Sequence, residues 1–256
     1  MRKTLSVAII TRDEEANLAL TLGSVAWADE IVVVDCGSVD RTEEIALSFR
    51  ARFFLEEWKG FAAQKNSALE KCSGDWLLSL DADEALSDEL AKEIWELLEG
   101  DPPFDGYAMP RRNLFLGRWI RFGGFYPDPK FRLFRRGAAE FEARPVHETI
   151  HFIGRSGRLK GDMVHAAYPT LGAYIAHMDR YSTLGAEQVV RAGKRYRALP
   201  AFAANVLLNP LLTFVYNYFI RLGFLDGREG LLLHLYHSVY TSWKYAKAWE
   251  QSRRAG

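Results

Sequence analysis

The stretch Trp76-Leu-Leu-Ser-Leu-Asp-Ala-Asp-Glu84 is an apolar run that ends in a cluster of carboxylates. Its apolar part is short and bounded by polar residues, which predicts a buried β-strand. Three further apolar runs precede it, at residues 5–10, 31–35 and 52–55. Longer amphipathic segments between and after these runs predict helices, at residues 16–26, 40–50, 60–72 and 87–99. This alternation predicts βαβ units around a mostly parallel sheet, an α/β fold.

The pattern changes after the fourth predicted helix. Ser87 is a suitable N-cap for that helix, and Gly100-Asp-Pro-Pro103 ends it. Short strands rich in basic and aromatic residues follow from Gly106, and helical sequence resumes after Tyr168-Pro169. We therefore divide the chain into an α/β domain, residues 1–167, and a C-terminal helical region, residues 168–256.

Composition excludes some classes of function. Lys plus Arg and Asp plus Glu number 33 each, so no excess positive charge favours nucleic acid. Two cysteines in 256 residues give no disulfide framework, which is typical of a cytoplasmic protein. The apolar run at residues 5–10 is short and is followed by charged residues, which does not indicate a signal peptide.

Polar residues follow the predicted strands at the edge where α/β sheets bind ligands. They lie at residues 11–17, 35–42 and 81–84, and each segment contains carboxylates. Asp35 follows an apolar run directly and has the chemistry to accept a hydrogen bond from the imide N–H of uracil or from a ribose hydroxyl. The alternative is a glycine-containing turn in which Ser38 or Asp40 caps the next helix.

Asp81 and Asp83 have two open interpretations. Carboxylates two residues apart after a buried strand can divide their roles, one binding a ribose or water and the other a hard cation. Mg²⁺ or Mn²⁺ at this position would neutralise a diphosphate leaving group. Short Asp-rich turns also cap helices without any catalytic role. Asp81-Ala-Asp83 alone therefore does not predict a metal site, and the prediction depends on the other motifs in the sequence.

Several segments together resemble a known family. Residues 11–18, Val34-Asp-Cys-Gly-Ser-Val-Asp-Arg-Thr42, Gly60-Phe-Ala-Ala-Gln-Lys-Asn66 and Leu80-Asp-Ala-Asp-Glu84 are similar to the family 2 glycosyltransferases of GT-A fold. Arg132-Leu-Phe-Arg-Arg136, Val146-His-Glu148 and residues 221–230 most resemble the lipopolysaccharide-core β-glucosyltransferase group. The resemblance spans nearly the whole chain. It departs from the family pattern at Asp13, where Asn is usual, and at Cys36, where a smaller residue is commoner.

The resemblance implies inverting transfer of a hexose from a UDP-sugar, with UDP-glucose as the first candidate, to a lipid-linked glycan such as lipopolysaccharide core. It implies a divalent cation, Mg²⁺ or Mn²⁺, held by Asp83. His147 or His165 could complete the metal shell, and we select His165; the alternative for both is a structural histidine. The predicted nucleotide-sugar contacts are Thr11, Glu14, Asp35, Ser38, Lys65, Asn66 and Asp81. Among these contacts, the resemblance implies that Asp35 lies near the base of the nucleotide and Asp81 near its ribose.

Inversion requires a carboxylate that takes the acceptor hydroxyl proton. Glu148 is the first candidate, because it lies past the metal triplet where this family places acceptor-side acids, and Asp128 is the second. Arginine forks suit phosphates and carboxylates, so Arg132 and Arg135 are predicted to bind an anionic acceptor. The alternative for these arginines is a solvated basic face.

Residues 201–220 contain no charged side chain and are long enough to span a bilayer. Asn205, Asn209, Pro210 and Asn217 interrupt the segment, and cations flank both ends, which favours a helix lying in the membrane interface. We therefore predict peripheral contact with the inner face of a bacterial membrane. The alternative is a helix packed on the catalytic domain or across a homodimer.

Two rival functions remain open at this point. A polyprenyl-phosphate glycosyltransferase would use the same donor site with a phosphate nucleophile and have less need of Glu148. A non-catalytic nucleotide-sugar-binding membrane scaffold would need no base and no metal-assisted step.

Overall fold

The computed structural model describes residues 2–142, 149–193 and 198–254. The chain divides into two compact units, one of residues 1–112 and 128–166 and the other of residues 113–127 and 167–256. Residues 113–127, which the sequence placed in the α/β domain, thus group with the helical unit.

The first unit begins with the predicted alternation of strands and helices. The strands are β1 (Leu5–Thr11), β2 (Glu30–Asp35), β3 (Arg52–Leu55) and β4 (Trp76–Asp81). The helices between them are α1 (Leu18–Ser24), α2 (Thr42–Ser48) and α3 (Phe61–Glu70). β1 pairs in parallel with both β2 and β4, and β2 pairs in parallel with β3. The predicted parallel α/β arrangement is confirmed.

Further strands and one more helix follow, up to Tyr168. They are β5 (Glu84–Leu86), α4 (Asp88–Glu99), β6 (Gly106–Met109), β7 (Arg111–Phe115), β8 (Arg118–Trp119), β9 (Lys130–Arg135), β10 (Ala139–Glu142), β11 (Thr149–Phe152), β12 (Ser156–Arg158) and β13 (Met163–Tyr168). The central sheet has seven strands in the order β12-β6-β9-β4-β1-β2-β3. β9 is antiparallel to both of its neighbours, β4 and β6.

The core explains why the central strands are apolar throughout. Along β1, Leu5, Val7 and Ile9 are buried in one cluster, whereas Ala8 and Ile10 are buried in another. Alternate side chains of a strand point to opposite faces, so both faces of the sheet are covered, as in parallel sheets generally.

The second unit is mainly helical. It contains α5 (Leu171–Arg191), α6 (Leu199–Ala203), α7 (Asn209–Val215) and α8 (Gly227–Arg254). One π-helical turn joins α6 to α7 and another, Tyr216–Ile220, follows α7. Together they form Leu199–Ile220, the one helix in the described part of the chain that is long and apolar enough to cross a bilayer by length and composition.

A buried histidine joins two loops of the second unit. His234, on α8, is 1% exposed, and neither ring nitrogen has a hydrogen-bond partner among the described residues. A Cβ atom added to Gly123 or Gly223 would lie 1.9 or 2.3 Å from its ring, so both positions require glycine. Burial, with a smaller contribution from His237, lowers the pKa of His234 from 6.5 to about 4.

We predict that the protein loses stability as the pH falls from 6.5 towards 4. Over this range the unfolded chain protonates the residue-234 imidazole while the folded chain keeps it neutral, so protons favour unfolding. The loss from this one group is on the order of 2 to 3 kcal/mol. Urea unfolding across this pH range measures it.

His234→Leu is expected to flatten this pH dependence, and His151→Leu, at an exposed histidine, serves as the matched control. His237, whose pKa burial also lowers, retains part of the slope in both variants. An unchanged slope in His234→Leu would contradict the assignment.

Candidate active site

The carboxyl ends of three neighbouring strands meet at one edge of the central sheet. The β1–β2 register places Thr11 opposite Asp35, and the β1–β4 register places Ile10 opposite Asp81. The sheet therefore brings the segments after β1, β2 and β4 together. This edge is where open α/β sheets bind their ligands.

The segments after β1 and β2 are joined by hydrogen bonds. The backbone N–H of Asp13 donates to Ser38 Oγ at 2.8 Å, and that of Val39 donates to Asp13 Oδ1 at 2.9 Å. The backbone N–H of Glu14 donates to Thr42 Oγ1 at 2.9 Å. Asp13 has φ of 53°, a left-handed conformation that Asp and Asn tolerate well. The departure from the family pattern at Asp13 is therefore compatible with the loop.

Asp35 itself holds the glycine-containing turn after β2, and neither Ser38 nor Asp40 is the N-cap residue of α2. The buried Oδ1 of Asp35 accepts hydrogen bonds from the backbone N–H groups of Gly37 and Ser38, each at 2.8 Å, and its Oδ2 accepts one from the Ser38 hydroxyl. A carboxylate has about four acceptor positions, so these bonds do not saturate it. Beside it in the register, Thr11 is buried and its hydroxyl has no partner within the described residues.

Asp81 lies between two cations. Its Oδ1 is 2.8 Å from Lys65 Nζ and its Oδ2 is 2.7 Å from Arg132 Nη2. Burial acts to raise the pKa of Asp81, but Arg132 and Lys65 together hold that pKa well below its ordinary value. Asp81 is therefore a firmly ionised carboxylate whose charge is already offset by the protein.

Glu84 is the centre of a buried ion-pair network. Its side chain is completely buried, and its Oε1 lies 2.9 Å from Arg132 Nη2 and 2.9 Å from Arg111 Nη1. Its Oε2 accepts a hydrogen bond from the backbone N–H of Asp81 at 3.1 Å. The sequence showed Glu84 only as the end of the Asp-rich turn and Arg111 only as one of many basic residues, so it assigned neither a role.

Asp128, the second candidate base, belongs to the same network. Its Oδ2 is 2.7 Å from Arg111 Nη2, and its Oδ1 is 3.0 Å from Lys130 Nζ. Burial acts to raise the pKa of Asp128, but Arg111 and Lys130 lower it overall. A carboxylate with a lowered pKa is a weaker proton acceptor.

Asp83 and His165 face each other. Asp83 Oδ2 is 3.2 Å from His165 Nε2, and the backbone N–H of Ala166 donates to the Asp83 carbonyl at 3.0 Å. The pairing of β13 with β5 sets this contact, because it places His165 opposite Glu84. The structure thus brings the two predicted metal ligands together.

Negative charge accumulates around this pair. Burial raises the pKa of Glu14, and Asp83, Asp40 and Asp81 raise it further. No three His, Cys, Asp or Glu residues in the described segments are arranged as a complete metal site. The Asp83 carboxylate, with other positions open to phosphate oxygens, fits Mg²⁺ or Mn²⁺, and the His165 imidazole suits Mn²⁺ better than Mg²⁺, which favours oxygen ligands.

Asn66, a predicted nucleotide contact, is instead bonded to a strand. Its Nδ2 donates to the Phe141 carbonyl and its Oδ1 accepts from the Phe141 N–H, each at 2.8 Å. The side-chain amide is therefore used to hold β10 against α3. β10 pairs with β11, and Glu148, the first candidate base, precedes β11 in residues 143–148, outside the described residues.

The two predicted acceptor arginines lie in different places. Arg132 is buried and paired with Asp81 and Glu84, which is a structural role rather than the expected acceptor contact. Arg135 lies opposite Trp76, at the amino end of β4, and its Nε is 3.2 Å from Asp105 Oδ1. At about 3.3 Å per residue, the length of β4 separates Arg135 from Asp81 by roughly 17 Å.

Comparison with known proteins identifies the family. The model of glycosyl transferase family 2 matches residues 6–152. The lipopolysaccharide core biosynthesis glycosyltransferase LpsC of Rhizobium meliloti (strain 1021) is 34% identical over 230 residues, covering 87% of this chain and 82% of LpsC. The uncharacterised glycosyltransferase RT0209 of Rickettsia typhi is 31% identical over 248 residues, covering 90% of this chain and 81% of that protein.

A solved structure shares the fold. The mannosyltransferase PcManGT from Pyrobaculum calidifontis, in complex with GDP-Man and Mn²⁺, superposes with a TM-score of 0.54 at 18% identity, covering 98% of this chain and 88% of that chain. The predicted GT-A fold is confirmed. The matched family model covers more than half of the chain, and the chain therefore belongs to glycosyltransferase family 2.

Proposed function

We propose that this glycosyltransferase moves a hexose, with inversion, from a UDP-sugar to a lipid-linked glycan. UDP-glucose is the first candidate donor, and lipopolysaccharide core is the first candidate acceptor, since the LpsC relative is named for core biosynthesis. The observation that carries the proposal is the arrangement at the carboxyl ends of β1, β2 and β4. There, Asp81 is ionised and paired with cations, whereas Asp83 faces His165 in an excess of negative charge.

The donor site would combine residues from three segments. Asp35 keeps acceptor capacity for an imide or ribose hydroxyl, and beside it lies the Thr11 hydroxyl, which has no hydrogen-bond partner in the described segments. Glu14 lies in the segment after β1 and Ser38 in the segment after β2, and hydrogen bonds join these two segments. Asp81 would accept from a ribose hydroxyl, with Lys65 and Arg132 holding its carboxylate in place.

Asp83 and His165 would hold a divalent cation, Mg²⁺ or Mn²⁺. When bound, such a cation supplies charge neutralisation for the diphosphate that leaves the sugar. Glu14 is a further carboxyl group near this site, and its pKa is raised first by burial and then by Asp83, Asp40 and Asp81, which indicates several carboxylates close together.

The acceptor hydroxyl needs a base on the side opposite the leaving group. Asp128 is bound to Arg111 and Lys130, which weakens it as a base, so Glu148 remains our proposal for this role. Asn66 would support it indirectly, since it fixes the strand that leads into the segment containing Glu148.

A lipid-linked acceptor places the reaction at a membrane. We propose peripheral binding at the inner face of a bacterial membrane, with the exposed helix Leu199–Ile220 as the contact. The alternative is that the same helix surface forms the interface of a homodimer.

Incubation of the purified protein with a panel of nucleotide sugars and Mn²⁺ is expected to consume one UDP-hexose, because slow donor hydrolysis needs only the donor site. Chromatography of released UDP measures the reaction. Consumption of no nucleotide sugar, together with no UDP binding by calorimetry in the presence of metal, would reject the proposed function.

Asp83→Asn is expected to weaken metal-dependent UDP binding about tenfold or more and to lower transfer by about a hundredfold, since an amide neutralises the predicted metal ligand. Calorimetric titration of UDP with and without Mn²⁺ measures the binding. Asp101→Asn, at an exposed loop carboxylate, is the control. Equal metal dependence in Asp83→Asn and Asp101→Asn would remove Asp83 from the metal site.

Glu148→Gln is expected to lower kcat by about 10² to 10⁴-fold with little change in donor KM, because the amide cannot accept the acceptor proton. Asp128→Asn should reduce kcat far less and chiefly lower the melting temperature, because it breaks the pairs with Arg111 and Lys130. Steady-state kinetics and thermal unfolding of both variants decide between them. The reverse pattern would assign the base to Asp128, and full activity in both variants would favour a phosphate acceptor.

A further inference from the structure

The helix Leu199–Ile220 presents a continuous apolar stripe to the outside of the second unit. Only 6% of its most apolar window is buried. Large exposed side chains recur in pairs at every fourth residue: Leu207 and Leu208, Leu211 and Leu212, Val215 and Tyr216, Phe219 and Ile220. An exposed apolar surface of this extent is unusual for a soluble monomer and marks a contact with a membrane or another protein.

A groove of about 430 Å³ runs between this stripe and α8. It is lined by Asn209, Leu212, Thr213, Tyr216, Thr241, Lys244 and Tyr245. Lys244 is the one lysine, arginine or acidic residue in that lining. The groove therefore combines one positive charge with hydroxyl and amide groups.

Lys244 lines the groove and has no anionic partner among the residues that the structure describes. Its Nζ lies 4.6 Å from the centre of the Tyr245 ring, and no carboxylate of the described segments forms a salt bridge with it. Its aliphatic part crosses Gly185 of α5, where an added Cβ would lie 2.9 Å from Lys244 Cδ. By contrast, the neighbouring Lys247 pairs with Asp179 at 2.6 Å. Lys244 is thus a cation of the groove lining that, within the described segments, has no salt bridge and can meet an anion.

The charges around the stripe favour a negatively charged surface. Asp226 is the only acidic residue among residues 198–228, and it is buried, with its carboxylate accepting from the backbone N–H groups of Arg121 and Phe122. Arg221 and Arg228 are exposed just beyond the stripe. Cations beside an apolar helix suit anionic lipids, whose headgroups attract basic residues at the membrane surface.

The polar residues within the helix do not oppose contact with lipid. Asn205 Nδ2 donates to the Ala201 carbonyl at 2.8 Å, and Asn209 Nδ2 donates to Asn205 Oδ1 at 2.9 Å. Hydrogen bonds made inside the helix reduce the cost of placing these amides near hydrocarbon.

The helix is attached along its length to α8. Ser242 Oγ donates to the Val206 carbonyl at 2.9 Å, and the rings of Phe202 and Trp249 are 5.1 Å apart. A spanning orientation would carry the charged residues of α8 into hydrocarbon, at considerable cost. An orientation in the plane of the interface leaves them in the headgroup layer.

We propose that Leu199–Ile220 lies in the membrane interface and that the Lys244 groove binds the phosphate headgroup of an anionic bilayer lipid. The apolar stripe enters the acyl region, and the Lys244 ammonium, with the Asn209 and Thr213 side chains beside it, faces the phosphate layer. This site assumes the membrane-bound acceptor proposed above and adds the lipid that the surface recognises.

Co-sedimentation with two kinds of vesicle tests both parts of the site. One kind is pure phosphatidylcholine, and the other contains roughly one third phosphatidylglycerol to supply anionic headgroups. Lys244→Gln is expected to weaken binding to the anionic vesicles about fivefold and to leave binding to neutral vesicles unchanged. Lys247→Gln, at a lysine already paired with Asp179, is the matched control and is expected to change binding much less.

Leu211→Glu is expected to weaken binding to both vesicles about tenfold or more, because it puts a charge in the stripe. Leu20→Glu, at an exposed leucine of the first unit, is the control. Circular dichroism checks that all variants remain folded, and UDP-sugar hydrolysis without vesicles checks the donor site separately. Full vesicle binding by Leu211→Glu, with loss of a dimer in analytical ultracentrifugation, would overturn the lipid site in favour of a protein interface.

Equal losses in Lys244→Gln and Lys247→Gln would also overturn the headgroup site. Vesicle binding by a protein that consumes no nucleotide sugar would leave the lipid surface standing and reject the proposed function instead.

Discussion

The first unit depends on the compensation of one buried carboxylate. Glu84 is fully buried and would carry an uncompensated charge without Arg111 and Arg132, at a cost of several kcal/mol. These arginines lie on β7 and β9, whereas Glu84 begins β5 directly after the Asp-rich turn. Their pairing therefore fixes the turn relative to strands distant in sequence. Because Arg132 also pairs with Asp81, the network offsets the charge of Asp81 as well as that of Glu84.

Two carboxyl groups near this turn have pKa values shifted in opposite directions. Asp81 is paired with Lys65 and Arg132, so its pKa is lowered despite burial. Glu14 is also desolvated, but its charged neighbours named above are acidic, so its pKa is raised. This separation supports the different roles proposed above for the two regions. The compensated Asp81 is suited to accepting a hydrogen bond from a neutral hydroxyl, and the uncompensated region around Glu14 and Asp83 is suited to a cation.

The strands of the βαβ units in the first hundred residues could be predicted from the sequence. The pairing of the later strands could not. The strands at residues 5–10 and 76–80 differ by one terminal residue from β1 and β4, because a strand buried on both faces must be apolar throughout. The position of Arg135 depends on the antiparallel register of β9 against β4, which no local pattern encodes. The bond from Asn66 to Phe141 likewise joins residues 75 apart, and it gives an amide with a typical binding-site position a structural role instead.

In the second unit as well, polar groups that already have a partner within the protein can be distinguished from those that could bind a ligand. Asn205, Asn209 and Asp226 have partners within the protein, so their polarity is already satisfied. The ring nitrogens of His234 have no hydrogen-bond partner in the described part of the chain, but the ring carries no charge at neutral pH and packs against Phe125 and Tyr218. Lys244 is different, because its ammonium group has no carboxylate partner among the described residues. A cation without a carboxylate partner in the described segments, beside an exposed apolar stripe, matches the chemistry of an anion with an apolar body, and an anionic lipid has both properties.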